Sequence, residues 1–250
     1  MLTIIIKTKD SEDTISEVLE STKDLGEIVV IDEHSSDDTV LLAKEYKAKI
    51  FYSSLNEFNS AFNQALSETQ NEWVLLLEGD EIIPDTLGQS ILNYIENPKK
   101  NKNAVFLPVK LFYLNSEIKA ARKIELKLFK KGQANLINSY STNLKPEKTK
   151  KYNLNSNFKN DKKCILKFEK RNIFNIFQDS ISEANIKIKE QKNNSISIFI
   201  KPLLNFIFLY FIKGAFLDGK RGFMYSFYKT VEIFILQCAK FEKKVHNEQQ

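Results

Sequence analysis

Four short apolar runs, separated by stretches whose apolar residues recur at helical intervals, constrain this chain more than any other feature of its first eighty residues. Leu2-Thr3-Ile4-Ile5-Ile6 is apolar and β-branched, Ile15, Val18 and Leu19 fall at helical spacing, and Glu27-Ile28-Val29-Val30-Ile31 is apolar again, which reads as strand, helix, strand. Asp37-Asp38-Thr39 is a helix start, followed by Val40, Leu41, Leu42 and Ala43. Residues 49–52 make a third strand, and Phe58, Ala61, Phe62, Ala65 and Leu66 form one helical stripe. Trp73-Val74-Leu75-Leu76-Leu77 is wholly apolar, as suits a strand covered on both faces. Right-handed crossovers between such strands predict an α/β fold: a mostly parallel central sheet with helices on both faces.

Ligands of such sheets bind beyond the carboxyl ends of the strands. Two of those ends are acidic here. The second strand runs into Asp32-Glu33-His34-Ser35-Ser36-Asp37-Asp38 and the fourth into Glu78-Gly79-Asp80-Glu81. Carboxylates gathered at one edge repel one another unless a cation or hydrogen-bond donors compensate them. A hard divalent cation, Mg²⁺ or Mn²⁺, meets that need with a few carboxylate oxygens plus phosphate oxygens of a ligand, and Gly79 leaves room for a diphosphate to approach the backbone. A solvated turn after a strand has the same composition, so Glu-Gly-Asp alone is a weak signal.

Competing α/β readings fail on the same loops. The turn after the first strand, Lys7-Thr8-Lys9-Asp10-Ser11-Glu12-Asp13, has no glycine and so lacks a dinucleotide fingerprint, and neither a Gly-x-x-x-x-Gly-Lys phosphate loop nor a Gly-x-Ser-x-Gly elbow is present. A nucleotidyltransferase needs a glycine- and arginine-rich N-terminal loop that is missing here. His34 and His246 are the only histidines, too few for a His-rich metal centre, and His34 reads as a loop residue. Cys164 and Cys238 read as free thiols of a reducing compartment.

Taken together, Ile4-Ile5-Ile6-Lys7-Thr8-Lys9-Asp10, the strand ending in Asp32, Ser35-Ser36-Asp37-Asp38-Thr39 and Trp73-Val74-Leu75-Leu76-Leu77-Glu78-Gly79-Asp80-Glu81 resemble the inverting family-2 glycosyltransferases of GT-A (Rossmann-like) fold. Within that family, Phe211-Ile212-Lys213-Gly214-Ala215-Phe216-Leu217-Asp218-Gly219-Lys220-Arg221-Gly222-Phe223 resembles the C-terminal signature of bacterial lipopolysaccharide-core β-glucosyltransferases. The resemblance implies a metal-dependent transfer of a sugar, glucose by likeness, from a nucleotide-sugar donor, a UDP-sugar being favoured, to a lipopolysaccharide-core or other cell-surface glycan. It implies donor contacts from Thr8, Asp10, Asp32, Ser35, Ser36, Asp38 and Asn63, and metal ligation by Asp80 and Glu78, with Glu81 completing the acidic cluster. The metal would neutralise the departing diphosphate while a base takes the acceptor hydroxyl proton.

Departures from the family pattern fall on the chemistry. Asp10 stands where relatives carry Asn, Glu78 where they carry Asp, and Phe62 where an Arg commonly precedes Asn63. Relatives place a His-Glu pair after a strand like residues 127–130, whereas Asn138-Ser139-Tyr140-Ser141-Thr142 has neither. Glu81 and Glu147 are the catalytic candidates, with Glu125 and Glu117 as further carboxylates on the acceptor side. A second function class therefore stands beside the first: a sugar-nucleotide-binding paralogue, catalytically impaired, acting as a binding or scaffold protein.

Charge divides the chain. Residues 1–100 carry 8 Lys/Arg against 20 Asp/Glu, a balance of −12, and residues 101–250 carry 29 against 12, or +17. The expected organisation is a nucleotide-sugar-binding domain over 1–135, an acceptor-side loop and strand over 136–170, and a C-terminal helical region over 171–250. Ile124, Leu126 and Leu128 alternate with Lys123, Glu125 and Lys127 as in a half-buried strand. Residues 196–212 are apolar but short for a span and interrupted by Lys201-Pro202 and Asn205, which favours a packed or interfacial helix. Its aromatics with Lys213, Lys220 and Arg221 suit an anionic bilayer surface carrying a lipid-linked acceptor. Asp218-Gly219 reads as a helix–helix turn, with an acceptor-side role for Asp218 implied by the resemblance. The N-terminus has no export pattern, so the expected location is cytoplasmic, peripheral on the cytoplasmic face of the inner membrane. Aromatics lie in apolar helices rather than among basic loop residues, which argues against nucleic acid.

Overall fold

A computed structural model describes residues 1–138, 142–147, 151–154, 158, 160–187 and 197–248. Strands β1 (Leu2–Thr8), β2 (Glu27–Asp32), β3 (Lys49–Tyr52) and β4 (Trp73–Glu78) pair in parallel in the order β3-β2-β1-β4. Helices α1 (Glu12–Thr22), α2 (Thr39–Glu45) and α3 (Phe58–Glu68) connect them, and α4 (Asp85–Glu96) follows. Because side chains alternate along a strand, successive apolar residues feed two cores. Ile4, Ile6, Leu75 and Leu77 pack with Ile15 and Leu19 of α1 and with Leu87 and Ile91 of α4. On the other face Ile5, Val29, Val74 and Leu76 pack with Phe58 and Phe62 of α3. Phe62 is therefore a core residue, held between Phe58 and Phe129.

Beyond β4 the sheet turns antiparallel. The short strand β5 (Glu81–Ile82) leads into α4, and the long strands β6 (Ala104–Tyr113) and β7 (Ser116–Lys130) form a hairpin whose turn, Leu114-Asn115, has positive φ at both residues (49° and 57°), as a two-residue primed turn requires. Strand β7 pairs antiparallel with β4 through Trp73↔Lys130, Val74↔Phe129 and Leu75↔Leu128. Strands β8 (Ala134–Leu136) and β9 (Leu144–Pro146) form a separate two-stranded sheet, β10 (Lys151–Asn153) adds in parallel to β6, and β11 (Ile165–Glu169) pairs antiparallel with β5. The stretch expected as an acceptor-side loop and one strand thus contains β9 and β10 besides the expected strand, which is β11. The alternation read along β7 also breaks: Ile124 is exposed, and Lys127, expected to face solvent, is buried.

The chain divides into two units, one of 1–111 with 122–168 and one of 112–121 with 169–250. The second contains α5 (Ile173–Lys187), α6 (Ser197–Ile207), a π-helical turn (Phe208–Ile212), a 3₁₀ turn (Ala215–Asp218) and α7 (Gly219–Glu248). Its buried residues include Ile176, Ala184, Ala215, Tyr225 and Tyr228, and Tyr113 from the hairpin tip packs against Tyr228 with ring centroids 5.7 Å apart. Burial pushes the Tyr225 phenol up to about 12. The turn before α7 is close-packed: a Cβ on Gly222 would lie 1.9 Å from the Ala215 carbonyl oxygen. Asp218 accepts a hydrogen bond from the Ala120 backbone (3.4 Å), so this side chain ties the turn to the hairpin tip. No single helix among the described residues is long and apolar enough to cross a membrane; residues 198–212 and 215–243 pass that test only as a pair bent by 68°.

Candidate active site

The first loops at the carboxyl edge hold each other. Asp32 ends β2 fully buried, and its two oxygens accept from the Ser35 backbone N–H (2.9 Å) and the Ser35 hydroxyl (2.5 Å). The Ser35 hydroxyl oxygen in turn accepts from the Asp10 backbone (2.8 Å), and the Asp10 carboxylate accepts from the Ser36 backbone (2.7 Å) and hydroxyl (3.1 Å). Asp10 adopts φ 43° and His34 φ 55°, a left-handed conformation that short polar side chains tolerate best. Helices α1 and α2 begin beside this network, where their first N–H groups need acceptors. Asp37 takes the Glu12 N–H (3.0 Å) and its near neighbour Thr39 N–H (3.0 Å), Glu12 takes the Asp38 N–H (3.2 Å), and the Thr39 hydroxyl takes the Ser11 N–H (2.7 Å). Burial raises the Asp37 carboxyl, but the hydrogen bonds from Thr39 and Glu12 outweigh it and hold it below its ordinary value.

Glycine 79 joins this network to the end of β4. Its N–H donates to the Lys7 carbonyl (2.8 Å), its carbonyl accepts from the Thr14 hydroxyl (2.6 Å), and a Cβ at this position would lie 2.6 Å from Thr8 Oγ1 and 3.0 Å from Ser11 Oγ. The space that a side chain would fill is taken by the first loop itself, not held open for a ligand. Thr8 Oγ1 is buried and has no hydrogen-bond partner among the described residues.

The acidic cluster is compensated by two lysines. Glu81 is wholly buried, and both its oxygens accept from Lys127 Nζ (2.9 and 2.6 Å), while one also takes the Glu78 N–H (3.0 Å). Lys167 Nζ contacts Glu78 Oε2 and lies 3.2 Å from Asp80 Oδ1. Glu78 Oε1 accepts from the Thr142 hydroxyl (2.5 Å). Strand pairing delivers Lys167, through the register Lys167↔Glu81 and a bond from the Phe168 N–H to the Asp80 carbonyl (2.9 Å). Burial works against charge on Glu78, but Lys167 and Lys127 hold its carboxyl well below the usual range. Burial likewise lowers Lys167 and Lys127, and Asp80, Glu78 and Glu81 for the first, Glu81 and Glu125 for the second, raise both above the ordinary lysine value.

Several expected residues are placed elsewhere. Glu81, buried and ion-paired, has no oxygen to offer an acceptor and is a structural carboxylate. Glu147 is exposed beside Gln133, where its backbone donates to the Gln133 carbonyl (2.9 Å) and Gln133 to that of Lys130; Lys130 pairs with Trp73, at the amino end of β4 and the opposite edge from Glu78. Glu117 belongs to the second unit. Of the acceptor-side carboxylates Glu147, Glu125 and Glu117, Glu125 reaches the cluster, 3.5 Å from Lys127 and 2.7 Å from Lys123. Asn63 is exposed on α3 and bonds along the helix to Asn59 (3.0 Å), and the Asp38 side chain is exposed at the start of α2. His34 stacks on Tyr52, ring centroids 5.8 Å apart. Ser139, Tyr140 and Ser141 lie outside the described residues. The residues sequence reasoning missed, Lys127, Lys167 and Thr142, sit in polar or alternating stretches where nothing distinguishes an inward-facing lysine from a solvated one.

Glu78 and Asp80 are the carboxylates that Mg²⁺ or Mn²⁺ would use. Both already face Lys167, and no three His, Cys, Asp or Glu side chains among the described residues converge into a metal-holding group. As arranged, this set does not fit an added dication.

A parallel-stranded α/β sheet with polar and acidic loops interlocked at its carboxyl edge defines the class of protein: an α/β ligand-binding fold of GT-A type. Residues 3–166 match the model of glycosyl transferase family 2, and the chain belongs to that family of glycosyltransferases. Over 95 residues it is 33% identical to an uncharacterized glycosyltransferase of Rickettsia typhi, covering 38% of this chain and 32% of that one. Over 70 residues it is 44% identical to glucosyl-3-phosphoglycerate synthase of Petrotoga mobilis, covering 27% of this chain and 21% of the relative. The chain thus matches about a third or less of those relatives' lengths. A crystal structure of glucosyl-3-phosphoglycerate synthase from Mycobacterium tuberculosis with Mn²⁺, UDP and glucosyl-3-phosphoglycerate aligns at 20% identity with TM-score 0.36, over 45% of this chain and 44% of that one.

Proposed function

We propose that this chain transfers a sugar, glucose by likeness, from a nucleotide-sugar donor, a UDP-sugar being favoured, to a lipid-linked glycan such as a lipopolysaccharide core. The observation that carries the reading is the meeting of the Asp10-Ser35-Ser36 loop network with Gly79 at the carboxyl edge of a family-2 sheet. Asp32 is buried, so it acts by fixing Ser35, and the exposed groups left to meet a donor are Asp10 and Ser36. In the transfer the acceptor hydroxyl oxygen attacks the anomeric carbon, the bond to the diphosphate breaks, and the hydroxyl proton passes to a base. We propose Glu125, which borders the cluster 3.5 Å from Lys127, as the group that takes that proton, and Glu125→Gln should lower kcat with little change in donor binding. Calorimetry with UDP and UDP-glucose tests the donor site; no heat with either ligand would overturn it.

The second unit supports an acceptor held at a bilayer. Phe199, Leu203, Phe208, Phe211, Ile212 and Leu217 are exposed, as are Lys201, Lys213, Lys220 and Arg221 among them. Exposed apolar groups mixed with cations suit the surface of an anionic membrane, on the cytoplasmic face of the inner membrane in a bacterium. Flotation with phosphatidylglycerol vesicles, but not with phosphatidylcholine alone, is the expected result, and no flotation with either would count against it.

The second reading, a donor-binding paralogue without turnover, is favoured by two observations: lysines already occupy the acidic carboxylates, and residues 138–142 lack the expected His-Glu pair. UDP binding with no hydrolysis or transfer of labelled sugar on any glycan tested would select it.

A further inference from the structure

We propose that the Lys167 ammonium, and not a divalent metal, is the resident cation of the Glu78–Asp80 site, and that it faces whatever anionic group docks at this edge. The disposition of oxygens argues it. Glu78 gives one oxygen to Lys167 and the other to Thr142, Asp80 Oδ1 lies 3.2 Å from the same ammonium, and Glu81 gives both oxygens to Lys127. Mg²⁺ or Mn²⁺ binds through one or two carboxylates plus phosphate oxygens, and to use Glu78 Oε2 with Asp80 Oδ1 it must displace the Lys167 ammonium beside Lys127.

Lys167 is not a side chain that swings away freely. The β5–β11 register sets it opposite Glu81, the Phe168 N–H bonds to the Asp80 carbonyl, and the side chain is only 15% exposed. Four carboxylates, Glu78, Asp80, Glu81 and Glu125, meet three ammoniums, Lys123, Lys127 and Lys167, which leaves a single net negative charge without any added ion. An ammonium with three donors can keep its carboxylate contacts and still present an N–H to a phosphate oxygen at the open side. The metal position is thus filled from within the chain, by a residue that arrives about ninety positions later in sequence, consistent with the 89-residue separation of Glu78 and Lys167.

The docking of a diphosphate rests on the donor-site reading above; the occupancy of the metal position does not. The full chain, titrated into Mn²⁺ and followed by the electron paramagnetic resonance of free Mn²⁺, should leave that signal undiminished at sub-millimolar metal. Lys167→Met should bind Mn²⁺ and quench it, whereas Lys167→Arg, which keeps a cation, should behave as the parent does. Calorimetry with UDP should give the same affinity in EDTA as in Mn²⁺, and Lys167→Met should weaken UDP in EDTA by about tenfold or more, as loss of a charge-assisted phosphate contact implies. Mn²⁺ binding by the unaltered chain that disappears in Asp80→Asn would overturn the proposal, as would UDP binding that requires Mn²⁺. Should Lys167→Met fail to fold, the unaltered chain and Lys167→Arg still decide it. An absence of UDP binding in either buffer sinks the donor-site reading, and the Mn²⁺ titration alone then decides the role of Lys167.

Discussion

Lys127 and Glu81 form an ion pair excluded from solvent, the ammonium 2.6 and 2.9 Å from the two carboxylate oxygens and the side chains 3% and 0% exposed. Removing one partner of such a pair leaves a buried charge uncompensated. Lys127→Met should therefore cost about 3–5 kcal/mol of stability in denaturant melts, and adding Glu81→Gln should restore a large part of it. Equal losses for the single and double variants would show that the pair is not coupled.

Gly79→Ala tests the contact between the first and fourth strand ends. The added methyl lies 2.6 Å from Thr8 Oγ1, so overpacking of about 1–3 kcal/mol is expected, measurable as a lowered Tm. Thr8→Ala in the same chain removes that oxygen and should return part of the loss. A Gly79→Ala protein with unchanged Tm would mean the two loops part without cost.

Asp37 gives a pH signature. Its folded-state carboxyl lies below its ordinary value, so its contribution is present above the unfolded pKa, about 3.9, and is lost as pH falls through the lower folded value. Asp37→Asn should consequently melt at a lower temperature than the parent at pH 7, with the gap closing as the pH drops below about 4. A gap independent of pH would assign the loss to geometry rather than charge.

Asp32→Asn keeps size but gives up the charge that both Ser35 donors point to. Loss of charge-assisted bonds in a buried network should loosen residues 33–36 and weaken UDP by about tenfold, equivalent to about 1.4 kcal/mol. Calorimetry reads the affinity and amide exchange of Ser35 the loosening. Unaltered UDP affinity would separate Asp32 from the donor site.

The parallel half of the fold was legible because period and composition carry it: Ile4, Ile5 and Ile6 feed two opposite cores, which only a strand covered on both faces can do. The acidic ends of β2 and β4 were legible for the same reason, since they follow directly from where those strands stop. What faces Glu78, Asp80 and Glu81 was not. Lys127 and Lys167 come from strands whose residues alternate between charged and apolar types, and such a pattern places the lysine on the solvent side unless a carboxylate waits on the other strand. The pairing of β11 with β5 is non-local and has no local sequence signal. Glu147 fails for a related reason: β9 runs from the Thr142 end toward the opposite edge, so a few residues of chain carry it across the sheet.

The chain leaves its first unit and returns within the β6–β7 hairpin, then leaves again after residue 168. The second unit is therefore assembled from two pieces of sequence, and the shorter piece, 112–121, brings Tyr113, Ile118 and Ala120, all buried. A fragment made of 169–250 alone would lack Tyr113, the ring that packs on Tyr228, and would leave Asp218 without the Ala120 amide. Exchange of this helical part between relatives by a single crossover would break it, whereas an exchange that carries the hairpin tip as well would preserve it. On this topology the second unit is one short insertion, 112–121, together with the segment 169–250, rather than that segment alone.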